Sequence, residues 1–558
     1  MDKNPLLEKN LLALSGINGE LSSRLAAADS AARRYEFLES RSGETIPAWV
    51  DSTGKAHPLH STIDPRKEAD RLINSLDDSF FREGSCFLVI LGLGGAYYAE
   101  AALKANAGMV LVIEYGLSGV HELLCRMDYS CLFNNPRFRL LVNSSNEEIE
   151  RNILNLYQPV LYGGIKVIPL RSRTSLEPKP FQAAGDAIES AIKRVSADYS
   201  VQAHFGKRWA SNIVKNLEAA GENRDASLRI RRAAVTAAGP SLMAQIRRLK
   251  ERQKELFIIA TDTSLSCLLN EGIRPGAVIS IDCQHISYYH FMEALPDETI
   301  LFLDLASPPL LSSRAKRRVF FSGSHPLGKY ISRVWKALPE LDASGGNVTY
   351  AAISLAEQLG AEEIELYGAD FSYPKGVTYA RGTYIYSFFG KKQSRLSPLE
   401  AQHSSFLYRT PLDKRQGASS WYYETEVLRF YREKLEEKSL GMDSLIIPVE
   451  GAGAAIQVKS APAFPHRHEK AWFPERKEKM GREEFLKFYR GEIARLPQSC
   501  RNAAEYIASL DGEERAVLAT LLPAAAAFKK RSPAFGFKES LTAAKDHCQK
   551  VIYTVLAK

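Results

Sequence analysis

Long apolar runs are missing from this 558-residue chain. No stretch of about 18 residues is free of charged and polar breaks, so no membrane-spanning helix is expected. The run LLPAAAAF at 521–528 is too short and too rich in alanine to span. Cysteine is sparse: seven, at Cys86, Cys125, Cys131, Cys267, Cys283, Cys500 and Cys548. The number is odd and no CxxC occurs, which argues against a disulfide framework or a zinc ribbon and favours a reducing compartment. A dominant charge sign is also missing. Lys and Arg total 73 against 65 Asp and Glu, a net charge of +8. That mild excess suits an anionic ligand without calling for nucleic acid. There is no HExxH and no Cys/His cluster, and His466 and His468 in PHRHEK read as a solvated linker. No metal site is expected. The N-terminus, MDKNPLLEKNLLALSG, lacks an apolar signal core, so a cytoplasmic protein is expected.

What remains is ordinary globular composition, 45% hydrophobic and 25% charged. The length predicts about three or four domains. Leu6, Leu7, Leu11, Leu12, Leu14, Leu21 and Leu25 fall at helical spacing in the first forty residues. Residues 45–60 predict a hairpin turning at Thr53-Gly54, and a helix follows over 65–83. Residues 86–116 then read strand, glycine-rich turn, helix, strand. The continuously apolar FLVILGL predicts a parallel strand covered on both faces. Gly92, Gly94 and Gly95 form the turn, and the second strand ends in Glu114. This is the layout of a nucleotide-binding βαβ unit. Tyr97 occupies the place of the third glycine, so the turn is read as structural. Further strands are predicted at 137–142 and 164–170. The charged helical stretch 180–228 holds a domain boundary near residue 200.

A second α/β alternation begins at AAVTAAGPSL. Strands are predicted at 233–238, 256–262, 277–283, 299–304, 317–323 and 363–370, with helices between most of them. This predicts a doubly wound, mostly parallel sheet. In such sheets ligands sit beyond the carboxyl ends of the strands. At those ends stand Gly239-Pro240-Ser241, Thr261-Asp262-Thr263, Asp282, Asp304, Ser322-Gly323-Ser324-His325 and Gly368-Ala369-Asp370. Ser344-Gly345-Gly346-Asn347 opens another helix. A Gly-Pro-Ser turn is more often a helix cap than a ligand loop, Asp262 and Asp282 also read as capping acids, and Ser344-Gly345-Gly346-Asn347 reads equally as cap or anion-binding loop. Their order along one module favours a binding edge. Beyond 456 a Pro/His/charge-rich linker leads to helices. The expected parts are therefore an N-terminal α/β domain (1–200), a central domain (201–455) and a C-terminal helical domain (456–558).

AAGPSL, GIRPGAVISID and SGGNVTYAAISLAEQLGAEEIELYGADFSY resemble the motility-associated factor (Maf) glycosyltransferases, over about residues 205–455 and more loosely on either side. That resemblance implies a central GT-A-like (Rossmann-like) fold, similar to bacterial sialyltransferases and also to hydroxymethylpterin pyrophosphokinases. It implies transfer of a nonulosonic (sialic-acid-like) sugar from a CMP-activated donor to Ser/Thr of flagellin, without a tightly bound cofactor or a required divalent metal. It assigns the donor phosphate to Gly239, Pro240 and Ser241, the nucleotide to Thr261, Asp262 and Thr263, and a second donor loop to Ser344, Gly345, Gly346 and Asn347. The sialyltransferases carry Asn before Gly-Pro-Ser, where this chain has Ala238.

Direct displacement then needs donors to the departing phosphate and a base for the acceptor hydroxyl. Tyr379, Tyr384 and Tyr386 in YARGTYIY are candidates for the first task. The sialyltransferases place a base histidine downstream of the GADF-like element. Here WYYETEVLRFYREKLEE (421–437), read as helix, has none just ahead of it. The candidate bases are His403, Asp282 and Asp370. A magnesium-dependent pterin pyrophosphokinase, with Asp282 and Asp370 holding the metal, is the alternative enzyme. A non-catalytic flagellin-binding assembly factor is the alternative without turnover.

Overall fold

The computed structural model describes residues 4–28, 34–76, 81, 85–222, 228–292, 295–459, 478–498 and 502–557. His466, His468 and Cys500 lie outside the described residues. The six described cysteines are all free. Among the described residues no helix is long and apolar enough to cross a membrane. The chain divides into two compact units, 1–207 with 492–547 and 208–491 with 548–558. The division falls inside one helix, Pro178–Gly221.

The first unit holds a four-stranded sheet of β1 (Phe87–Leu91), β2 (Met109–Glu114), β3 (Phe138–Val142) and β4 (Ile165–Pro169). Its order is β3-β2-β1-β4, and every pairing is parallel. All residues of β1 and β2 are buried, as continuous apolar runs require when both faces are covered. A three-stranded antiparallel sheet (35–39, 45–50, 56–58) stands beside it in sequence. Its first strand falls where the leucine spacing predicted only helix. The Thr53-Gly54 turn forms as expected: Asp51 Oδ1 accepts from the Thr53 and Lys55 amides, and Gly54 has φ +84°. C-terminal helix Gly512–Arg531 packs on the 178–221 helix within this unit. At Gly206 an added Cβ would lie 1.8 Å from the Pro523 carbonyl oxygen, so only glycine permits that approach.

The glycine-rich turn after β1 is closed by the protein's own side chains. The Leu93 amide donates to Glu114 Oε2 (2.7 Å), and the Gly95 amide donates to His60 Nε2 (2.9 Å). Tyr129 donates its hydroxyl to the Gly94 carbonyl. The Tyr97 ring packs edge-on against His60 and fills the space a third glycine would leave. Glu114 is fully buried and pairs with the equally buried Arg173 at 2.9 Å. Burial pushes the Glu114 carboxyl up, while Arg173 and the two amides pull it back.

The second unit is built on a seven-stranded sheet: β5 (Arg232–Thr236), β6 (Phe257–Thr261), β7 (Ala277–Ser280), β8 (Ile300–Asp304), β9 (Arg317–Phe321), β10 (Glu363–Tyr367) and β11 (Leu445–Pro448). The order is β9-β8-β7-β6-β5-β10-β11, parallel throughout. The six strands predicted from sequence are all present, and β11 is additional. The strand order reverses between β5 and β10, which makes that gap the topological switch point. Trp421–Glu424 is not helical as expected. It pairs antiparallel with 413–416 and 373–374, and the helix starts at Glu426, where the Thr425 side chain caps it.

Burial pushes His60 down to about 4 from its ordinary 6.5, so it is neutral at pH 7 and free to accept from Gly95. Between those values the unfolded chain binds the proton and the folded chain does not. Stability should therefore fall as pH drops from about 6.5 to about 4 and level off below. His60→Ala should remove that pH slope and leave the Gly95 amide unpaired, at a cost of about 1–3 kcal/mol in urea unfolding at pH 7.

Candidate functional site

Two groups of side chains form at the carboxyl edge of the second sheet. The first closes the switch point. After β5 the chain turns through Gly239-Pro240 into the helix Ser241–Arg252, and after β10 it turns through Gly368-Ala369-Asp370. The Gly239 amide donates to the Gly368 carbonyl (2.8 Å). The Ser241 amide donates to Asp370 Oδ2 (2.9 Å), so the helix N-terminus that sequence offered to a phosphate holds an internal carboxylate. Gly239 has a steric reason: an added Cβ would lie 2.3 Å from Asp370 Oδ2. Ser241 Oγ accepts from the Ala452 amide, and Gln245 bonds Gly368, Val449 and Glu450. Asp370 is only 5% exposed. Burial raises its carboxyl, opposed by hydrogen bonds from Ser241 and Gly453. Ala238, in the expected asparagine position, is buried and accepts the Ala380 amide through its carbonyl (2.9 Å).

That last bond starts the second group. The excursion after β10 crosses the end of β5, and Gly382 passes against Cys267 and Asn270 on the helix Asp262–Asn270. Thr383 then begins a helix whose first residue is Tyr384. Tyr384 lies within electrostatic range of Asp262, after β6, and Asp282, after β7. Its phenol is pushed up by burial and then by the negative charges of Asp262 and Asp282. It therefore stays protonated at neutral pH and is a hydrogen-bond donor. Asp262 is 2% exposed; Ser280 donates its hydroxyl to Asp262 Oδ2 (2.6 Å), and the Thr263 amide donates to Oδ1 (2.7 Å). Asp282 accepts from the Gln284 amide (2.9 Å), and burial, with Asp262 adding to it, raises its carboxyl. Thr261 turns inward to Ser264. His290 joins this group: its ring lies edge-on to Tyr384 with centroids 4.2 Å apart. Arg409 faces Tyr373, Tyr379 and Tyr384 electrostatically.

The other expected residues stand apart. Asn347 caps the helix Val348–Gln358 by accepting from the Tyr350 amide (3.0 Å). An added Cβ at Gly345 would lie 2.2 Å from the Tyr350 ring, and Gly346 has φ +74°. The small residues of that loop thus have a packing explanation. Ser344 donates its amide to Asp342, whose carboxyl is held low because hydrogen bonds from Ser344, Tyr350 and Lys438 outweigh its burial. His403 bonds Thr378 (3.1 Å) and sits between Tyr386 and Phe389, with its imidazole pushed down by burial. Among the described residues its partners include neither Asp262 nor Asp282. Among the described residues no group of three or more His, Cys, Asp or Glu is placed to hold a metal ion. Sequence reading missed His290, although it follows Asp282 in SIDCQHISYYHF. The strand-end acid was the usable signal; the fold of 283–291 was not.

Residues 207–376 match the family model described as 6-hydroxymethylpterin diphosphokinase MptE-like. An uncharacterized protein of Treponema pallidum is 35% identical over 158 residues, 27% of this chain and 55% of that protein. The chain thus spans about half the length of that relative. A second uncharacterized T. pallidum protein is 30% identical over 166 residues, 29% of this chain and 79% of its own length. The Maf glycosyltransferase structure from Magnetospirillum magneticum AMB-1 superimposes with a TM-score of 0.60 at 15% identity, covering 99% of this chain and 95% of that one. The chain belongs to one family with the second treponemal protein, and its fold is Maf-like. Within the Maf-like fold, the MptE-like match covers β5 to β10 with Asp262, Asp282 and Asp370, and ends before Tyr384 and Arg409.

Asp370→Ala should leave the Ser241 amide unpaired and cost about 1–3 kcal/mol in chemical unfolding. Gly239→Ala should destabilise by a similar amount, since both the carboxylate and the Gly368 carbonyl must shift. In the double variant the two costs should sum to less than additivity, because the Asp370 clash is gone.

Proposed function

We propose that this protein is a glycosyltransferase that moves a nonulosonic (sialic-acid-like) sugar from a CMP-activated donor to a Ser/Thr hydroxyl of flagellin, in the cytoplasm before export. The observation that carries the reading is the Asp262–Asp282–Tyr384 group, beside the switch point of a Maf-like fold. The bond from the anomeric carbon to the CMP phosphate breaks as the bond to the acceptor oxygen forms. The Tyr384 phenol is the donor to the departing phosphate, and Asp282 stands on the side where the acceptor proton leaves. Arg409 supports an anionic donor, because it is exposed and pairs with no acid among the described residues. Thr263 borders the donor; Gly239, Pro240, Ser241 and Asp370 hold the edge in place. Tyrosine donors and Arg409 can meet the phosphate charge in place of a divalent metal.

The MptE-like match favours a second reading, a magnesium-dependent pterin pyrophosphokinase with Asp262 and Asp282 as metal-facing acids.

Calorimetry with CMP in EDTA separates the two. The first reading expects micromolar-range binding, and release of CMP from CMP-N-acetylneuraminic acid that Asp282→Asn slows at least tenfold. No CMP binding, with AMP formed from ATP only when magnesium and a hydroxymethylpterin are added, would establish the second.

A further inference from the structure

The positive charge of the chain is unevenly placed. Residues 375–417, within the excursion between β10 and β11, hold eight Lys and Arg against two Asp and Glu. That is a net charge of +6, out of +8 for the whole chain. All eight cations are exposed. Arg415 pairs with Asp413 at 3.6 Å, and that acid is also held by Arg429 at 2.6 Å. Among the described residues the other seven pair with no acid. Like charges kept together repel one another, and an anionic partner relieves that repulsion.

Three of these cations are positioned by aromatic rings. Lys392 Nζ lies 4.0 Å from the Phe388 centroid, the Arg409 guanidinium 3.9 Å from that of Phe406, and Lys414 Nζ 4.7 Å from that of Trp421. The rings belong to two contact series, Phe388–Phe389–Phe406 and Tyr408–Tyr423–Trp421. The rings hold the stems while the charged heads stay in water, so a partner meets charges that lose little freedom on binding.

The basic surface is tied to the carboxyl edge. Tyr384 is the first residue of the helix Tyr384–Lys391, and Lys391 is the last. At about 1.5 Å per residue its ends lie about 10 Å apart, the length of about three residues of extended chain. Phe388 on that helix meets Tyr289 of the 3-10 segment His285–Phe291, which follows Asp282, with centroids 6.1 Å apart.

The same charge would also draw a nucleic acid or an anionic membrane, and the side chains favour neither. Single strands stack bases on open ring faces, but Phe388, Phe406 and Trp421 each have a face covered by a cation. Membrane insertion needs a continuous apolar face. Among the described residues of 375–417 the exposed large apolar side chains are Val377, Leu396 and Tyr408, in three separate loops.

We propose that residues 375–417 dock an acidic segment of the polypeptide that carries the acceptor hydroxyl, with its acids about three or more residues from that hydroxyl. The role as acceptor dock rests on the glycosyl-transfer reading; the binding of an acidic polypeptide does not.

The test uses the full chain and a fluorescein-labelled peptide of about 16 alternating Glu and Ser residues, read by anisotropy in about 50 mM NaCl. The peptide should bind, and its Gln-Ser counterpart should not. Lys391→Glu, Lys392→Glu and Arg395→Glu together should weaken binding at least tenfold. Lys104→Glu, Lys193→Glu and Arg247→Glu together make the same change in net charge at exposed positions outside the excursion, and should weaken it less than threefold. A third variant, Lys391→Gln, Lys392→Gln and Arg395→Gln, adds no acid; it should still weaken binding about threefold, with an unchanged thermal midpoint. No peptide binding by wild type, or a loss as large in the second variant as in the first, would overturn the assignment. Tighter binding of an oligo(dT) of equal length, or of phosphatidylserine vesicles, lost in the first variant, would overturn it in favour of nucleic acid or membrane. CMP calorimetry on the same protein separates the failures. Peptide binding without CMP binding would end the transfer reading and keep the docking surface; CMP binding without peptide binding would do the reverse.

Discussion

The carboxylate of Asp370 at the start of the helix Ser241–Arg252 is the contact on which the carboxyl-edge geometry depends. It joins the two loops that flank the switch point, whose residues lie 129 positions apart in the chain. A helix N-terminus carries roughly half a positive charge and unpaired amides, so a carboxylate there is favoured by about 0.3–1 kcal/mol when exposed and up to about 2 when buried. Three glycines from three segments let these loops close on one another. A Cβ on Gly239 would meet the carboxylate, one on Gly453 would lie 2.5 Å from Asp370 Cα, and one on Gly368 would lie 2.6 Å from the Ala237 carbonyl. With those loops fixed, the chain leaving Asp370 crosses β5 at Ala238 and brings Tyr384 within electrostatic range of the acids that follow β6 and β7.

The same physical solution appears in the first unit. There Leu93 and Gly95 donate to Glu114 and His60, so the turn that most resembles a nucleotide loop has its amides bonded internally. Glu114, placed by sequence at the ribose position, faces inward to Arg173. In both units a glycine-rich turn closes on a side chain of its own unit. Asp262 and Asp282, with Tyr384 in their electrostatic range, stand elsewhere, after the strands one and two places from β5.

The layered architecture was legible because β-strand cores buried on both faces must be continuously apolar. FLVIL, MVLVIE and FIIAT carry that pattern without ambiguity. The strand-end order of Gly-Pro-Ser, Thr-Asp-Thr and Ser-Ile-Asp was legible for the same reason, since each follows such a run. β11 was not, because LIIP is four residues long and follows a charged helix. The ribbon at 413–424 was not, because DKRQ is fully exposed and has no alternation to read. Aromatic-rich WYYE was taken into the helix that Thr425 in fact starts. In the site, residue types at strand ends were readable, but their partners were not. Nothing local in the sequence tells that Asp370 will fill the Ser241 amide, or that Asn347 will cap the Tyr350 amide.

In the proposed reading, ligand binds at the Asp262–Asp282–Tyr384 group and not at either closed glycine turn. Hydrogen–deuterium exchange with and without CMP tests it in one experiment. Protection confined to peptides covering 261–264, 280–291 and 378–386 is the predicted result. Protection at 92–98, with none at those three segments, would contradict it.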